Sequence, residues 1–85
     1  DLALILSIIS SFRNKPIPRN IVVFGEVGLS GEIRPVSSGQ ERLKEAVKHG
    51  FTRAIVPIAN APKKSIPGLK VIGVKKIFEA LQALF

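Results

Sequence analysis

Gly25-Glu26-Val27-Gly28-Leu29-Ser30-Gly31-Glu32-Ile33-Arg34-Pro35-Val36 is the stretch that decides how the chain is read. Before it stands Ile21-Val22-Val23-Phe24, a short apolar and mostly β-branched run bounded by polar turn residues, the composition of a buried strand. Gly25, Gly28 and Gly31 follow at a spacing that suits a tight reversal, a bulge or a close backbone approach. Gly31–Val36 then leaves as a second extended segment, so the stretch predicts a two-strand unit. The glycines serve turn geometry rather than phosphate binding. No Gly-Lys-Ser/Thr ends the stretch, and no Gly-x-Gly-x-x-Gly opens a helix after a strand.

Downstream, Ser38 with Glu41 three residues on has the form of a capping box, with Ser37 and Gln40 as the rival register. The helix that follows runs to about His49, with Leu43, Ala46 and Val47 as its apolar stripe and Gly50 placed for a left-handed C′ position. His49 reads as a surface residue compatible with the helix dipole. Arg53-Ala-Ile-Val-Pro57 is a short strand stopped by a proline. Strand Gly31–Val36, helix and strand Arg53–Val56 together make a β-α-β unit, for which a right-handed crossover is the rule. Asn60–Gly68 is a polar, proline-containing connection with room for one helical turn. Lys70–Val74 is a third parallel strand, and Lys75–Phe85 an amphipathic helix with Ile77, Phe78, Leu81, Leu84 and Phe85 inward.

Upstream, Asp1–Phe12 is apolar nearly all round and long enough to favour a helix, which predicts burial on several faces. Arg13–Asn20 is a loop, because Pro16 and Pro18 cannot continue a helix interior. Eighty-five residues make one small domain. A chain starting at Asp1 without any methionine reads as a piece of something longer. With no cysteine and a single histidine, disulfides and thiolate sites are excluded and a histidine zinc site is disfavoured. Leu2–Ile9 is too short to span a bilayer and lacks the basic leader of a signal peptide, so a cytoplasmic origin without membrane contact is the expectation.

The charge balance is basic: 13 Lys+Arg against 6 Asp+Glu, a net charge of +7. Such a field favours polyanions. With no Tyr or Trp, and with its phenylalanines in apolar surroundings, the chain gives little support to base stacking.

Taken as an ordered set, Gly25-Glu26-Val27, Gly31–Val36, a helix, Lys48-His-Gly-Phe51, Ala54-Ile-Val-Pro57 and Asn60 resemble the proteolytic domain of the Lon protease family over essentially the whole chain. Phe24–Val36, Gly39-Gln-Glu-Arg-Leu-Lys-Glu-Ala46, Lys48–Phe51 and Asn60-Ala-Pro-Lys63 are most similar to one branch, the Lon-like C-terminal domain of the bacterial RadA (Sms) DNA repair family. The resemblance implies an α/β domain of the Lon kind (ribosomal protein S5 domain 2-like), a mixed sheet with a β-α-β crossover and packed helices. It implies a parent with an upstream zinc finger and a RecA-like ATPase core, so that zinc, magnesium and ATP belong to those regions and no cofactor to residues 1–85. It implies hexameric rings and work on DNA in recombination and branch migration.

One departure from Lon carries weight. Lon uses a Ser-Lys dyad in which lysine deprotonates serine. Counted from Pro35, the lysine position holds Gln40, an amide that takes no proton at neutral pH. The serine position falls just before Asp1; Ser7, Ser10 and Ser11 lie beyond it. Lys44 is the one nearby substitute. The reading is a non-catalytic Lon-like domain supporting hexamer assembly and DNA contact. Arg13, Lys15, Arg19, Arg34, Arg42, Lys44, Lys48 and Arg53 are its candidate phosphate contacts. Its rivals are a fragment of an active Ser-Lys peptidase, a protein-interaction module without a DNA role, and a Lon-like domain of a magnesium-chelatase-like competence protein.

Overall fold

Helix α1 spans Leu2–Arg13 in the computed structural model, which describes all of residues 1–85. The Asp1 carboxylate starts it by accepting from Leu4 N at 3.0 Å. Asn14, in the left-handed region, ends it by donating to the Ser10 and Ser11 carbonyls. The all-round burial expected of this helix is corrected. Leu2 and Leu6 are fully buried, but Leu4, Ile8 and Phe12 are 61%, 49% and 88% exposed. They recur every four residues, so they share one face, and nothing in residues 1–85 covers it.

Strand β1, Ile21–Val23, is the edge of a three-stranded parallel sheet of order β1-β4-β5, where β4 is Arg53–Pro57 and β5 is Lys70–Val74. The expected membership of this sheet is therefore corrected, since β1 takes the place assigned to Gly31–Val36. That segment contributes only β3, Ile33–Arg34, which pairs antiparallel with an unpredicted strand β2, Glu26–Val27. Two local causes are visible. Gly28 N donates to Glu32 O and Gly31 N to Gly28 O, closing a reversal that folds Glu26–Val27 back onto Ile33–Arg34. Pro35 has no N–H and ends the ladder. The mixed sheet of expectation is thus two sheets, stitched by Ile33 N to Lys75 O at 2.8 Å and Ile77 N to Gly31 O at 2.9 Å.

Helix α2, Gly39–Lys48, begins at Ser38, but the predicted capping box does not form. Ser38 sits at φ 59°, and its hydroxyl makes no cap bond; side-chain capping needs the extended backbone that this residue lacks. The C-terminus follows expectation. Phe51 N donates to Ala46 O and Gly50 N to Val47 O, the paired bonds of a Schellman motif, with Gly50 at φ +85°. Leu43 and Ala46 are buried, whereas Val47 lies at the margin and is exposed. A single 3-10 turn, Ile58–Asn60, follows β4.

Helix α3, Ile77–Leu84, starts where the Glu79 carboxylate accepts from Lys75 N and Lys76 N. These bonds, the Lys75 one first, hold the carboxyl below its ordinary pKa. Ala80 is the buried residue of α3; Ile77, Leu81 and Leu84 pack beside it. Phe78, expected inward, falls off that stripe and is exposed.

The core lies on both faces of the parallel sheet. Leu2 and Leu6 of α1 and Ala80 of α3 meet Ile21, Ile55 and Val74 on one face, together with Ile33. On the other, Leu43 of α2 meets Phe24, Ala54, Val56 and Leu69. Helix α1 starts beside the end of β1, through Leu2 N to Gly25 O at 2.9 Å, and runs back along it. The short connections around α2 and α3 make these helices return likewise. All three helices therefore end at the pole where the parallel strands begin.

Candidate nucleic-acid interface

That topology sorts the charges. The starts of the three parallel strands are tied together. Thr52 N donates to Asn20 O at 3.0 Å, Lys70 N donates to Thr52 O at 2.9 Å, and Asn20 Nδ2 donates to the Thr52 hydroxyl at 2.8 Å. Arg19, Arg53 and Lys70 flank this junction. Arg13 ends α1 and Lys48 ends α2, both where a cation opposes the negative end of a helix dipole. Lys15 lies in the loop between α1 and β1. Lys63, Lys64 and Lys70 line one surface cavity with Ala61, Ile66 and Leu69.

Among the acids, Glu45 alone lies in the half of its helix nearer this pole, and Lys48 and His49 contact it at 3.8 and 3.4 Å. At the opposite pole Asp1, Glu26, Glu32, Glu41 and Glu79 stand against Arg34, Arg42, Lys75 and Lys76, and Lys44 lies between the poles near the middle of α2. The excess positive charge of the chain is thus gathered toward one end of the molecule.

The topology sets five of the eight candidate cations, Arg13, Lys15, Arg19, Lys48 and Arg53, at this end, leaves Arg34 and Arg42 at the other, and places Lys44 between them. Arg34 stands 3.7 Å from Glu32, and the Arg42 guanidinium lies 5.6 Å from the centre of the Phe24 ring. Lys44 lies just past the midpoint of α2, one turn before Lys48. Lys63, Lys64 and Lys70 were not among the candidates. A signal for them exists in the sequence, since Asn60–Lys76 contains lysines and no acid.

Gln40, the residue that the resemblance sets against the Lon lysine, lies in the first turn of α2 with its amide directed to the Asn60 carbonyl at 3.5 Å. No three His, Cys, Asp or Glu side chains converge as metal ligands would. No helix is long and apolar enough to cross a membrane.

Residues 1–60 match the family model described as subunit ChlI of Mg-chelatase. The chain belongs to that family. Within it, the chain is similar to proteins named DNA repair protein RadA. It is 65% identical to that of Pseudomonas aeruginosa over 85 residues, which is 100% of this chain and 19% of the relative. With that of Escherichia coli it shares 64% over 81 residues, 95% of this chain and 18% of the relative. For Bacillus subtilis the figures are 49% over 83 residues, 96% and 18%. The chain therefore spans about a fifth of the length of the curated relatives it matches. The resemblance to the Lon-like domain of the RadA branch, drawn above from Phe24–Val36 and the motifs after it, is borne out. As a member of this family the chain is an α/β domain with its positive charge gathered at one end.

Proposed function

We propose that this chain is the non-catalytic, Lon-like domain of a RadA-type DNA repair ATPase, and that its basic pole holds DNA by the phosphate backbone. The observation that carries this is the segregation of charge. Arg13, Lys15, Arg19, Lys48 and Arg53, joined by the lysines of residues 63–70, occupy one end of the fold with a single acid. A positive field of that extent suits a polyanion, and cations without base-reading aromatics suit contacts that position a strand rather than read it. Whole-chain identity to RadA proteins supports this parent over the magnesium-chelatase-like rival.

The Lon-type fold, the cytoplasmic setting and the hexameric ring belong to the same reading. So does the location of ATP, magnesium and zinc in other parts of the parent. One copy of the pole reaches few phosphates, and a ring multiplies weak contacts through effective concentration. Gln40 in place of the dyad lysine supports the absence of peptidase chemistry, because no group at that position can take the serine proton.

Photocrosslinking tests the interface in the full-length protein. With DNA carrying iodouracil, crosslinked peptides are expected from residues 13–19, 48–53 and 63–70. Crosslinks confined to residues 34–44 and 75–76 would overturn the assignment.

A further inference from the structure

Arg53 opens β4 with Ile21 of β1 and Lys70 of β5 in register on either side. Residues in register on neighbouring parallel strands point to the same face. Here it is the face bearing α1 and α3, since Ile21 and Ile55 both belong to the cluster of Leu2, Leu6 and Ala80. The C-terminal ends of those helices meet over this end of the sheet, where the Arg13 guanidinium lies 5.9 Å from the centre of the Phe85 ring. Arg53 is half-buried beneath this mouth, and Lys70 is exposed at its lip.

Two features of this arrangement are costly as they stand. Arg53 Nε is sealed from solvent without an acceptor. A buried donor left unpaired is unfavourable, and more so when charged. Arg53 and Lys70 also set like charges side by side, which destabilises a sheet, and neither takes part in any of the ion pairs of the chain. The end of α1 offers little relief, because the amides of Asn14 and Lys15 already take the Ser10 and Ser11 carbonyls. Nε and one terminal nitrogen share an edge of the planar guanidinium, so one ligand can take both. That fork matches two oxygens of a phosphate, and a lysine beside it supplies a point charge for a third.

We propose that Arg53 and Lys70 form a discrete phosphate-binding site at the mouth between the C-terminal ends of α1 and α3, with Arg13 at its rim. The ligand is a phosphate group, from a nucleic-acid backbone or free in solution. The backbone source rests on the DNA reading above; the site itself does not. An oxyanion there removes the orphaned donor and the like-charge pair at once, which sets Arg53 apart from the freely solvated cations of the pole.

The test is arginine footprinting with phenylglyoxal on the full-length protein, read by mass spectrometry of the peptide that contains Arg53. One arm adds a single-stranded oligonucleotide, a second adds inorganic phosphate, and a chloride control matches ionic strength. Slowing of Arg53 modification several-fold by both probes assigns the site to phosphate from either source; slowing by the oligonucleotide alone assigns it to the backbone. Arg53→Lys keeps the charge and loses the fork, so it is expected to weaken oligonucleotide binding roughly tenfold with the salt dependence unchanged. Unaltered Arg53 reactivity in both arms, with wild-type affinity in Arg53→Lys, overturns the proposal. If Arg13 and Arg19 are protected by the oligonucleotide while Arg53 is not, this site falls and the DNA reading stands.

Discussion

Asn60 holds Val36 by both of its backbone groups. Its Oδ1 accepts from Val36 N at 2.9 Å, and its Nδ2 donates to Val36 O at 3.1 Å. The side-chain amide thus acts as a strand partner for a residue that follows Pro35 and has left the β2–β3 ladder. It fixes the entry into α2, and with it the position of Gln40. Asn60→Ala is expected to cost about 1–3 kcal/mol, the range for stranding part-buried polar groups. Hydrogen exchange at the Val36 amide reads this directly. Asn60→Asp keeps the acceptor and loses the donor, so its effect is expected to be intermediate.

Gly39 meets the same clasp from the helix side. A Cβ added there would lie 2.6 Å from Asn60 Nδ2. Gly39→Ala is therefore expected to destabilise by about 1–3 kcal/mol, as overpacking does, in spite of the better helix propensity of alanine. In a double-mutant cycle, Gly39→Ala in the Asn60→Ala background should cost less than alone, because the clash has gone. Additive effects would show that the two residues do not share one contact.

Burial along α1 gives a contrast within one helix. Leu6→Ala removes a fully buried side chain and is expected to cost about 2–5 kcal/mol. Phe12→Ser alters a ring that is 88% exposed and should stay within about 0.5 kcal/mol. Chemical denaturation of the two variants checks the pair. A large cost for Phe12→Ser would mean that another part of the parent covers this face.

Acid should loosen the start of α3. Glu79 has its folded-state pKa lowered, chiefly by the Lys75 amide and then by that of Lys76. A group with a depressed folded pKa contributes stability above its unfolded pKa, about 4.3 for glutamate, and loses it as pH falls through the folded value. Stability measured downward from about pH 6 should fall less steeply in Glu79→Gln than in the wild type over this window. Identical acid limbs would remove Glu79 from the account.

Much of the fold was legible because local signals agreed. Gly50 ended α2 as its position demanded, Pro57 closed β4, and the period of Leu43 and Ala46 gave the buried face of that helix. The partner of each strand was not legible, since pairing is decided between distant segments. Ile21–Val23 and the segment holding Ile33–Arg34 both read as extended, and the reversal at Gly28–Gly31 sends the second to a hairpin while the first joins the parallel sheet. Ser38 misled because the capping pattern is a matter of residue type, whereas the bond depends on a backbone angle the sequence does not display. For the site, the basic balance was legible, but the grouping of the cations follows from the direction of three helices, and Lys63, Lys64 and Lys70 were missed. Arg42 shares a helix with Lys48 yet lies nearer its other end.

The most direct test of the central claim is the salt dependence of DNA binding by the full-length protein. Two sets of alanine substitutions are compared, one at Arg13, Lys15, Arg19 and Arg53 and the other at Arg34 and Arg42. Each lost phosphate contact should flatten the slope of log K against log salt by about 0.9 on duplex DNA. The predicted result is a flatter slope for the first set and a wild-type slope for the second. A wild-type slope for the first set, or equal flattening by both, would contradict a DNA contact at the basic pole.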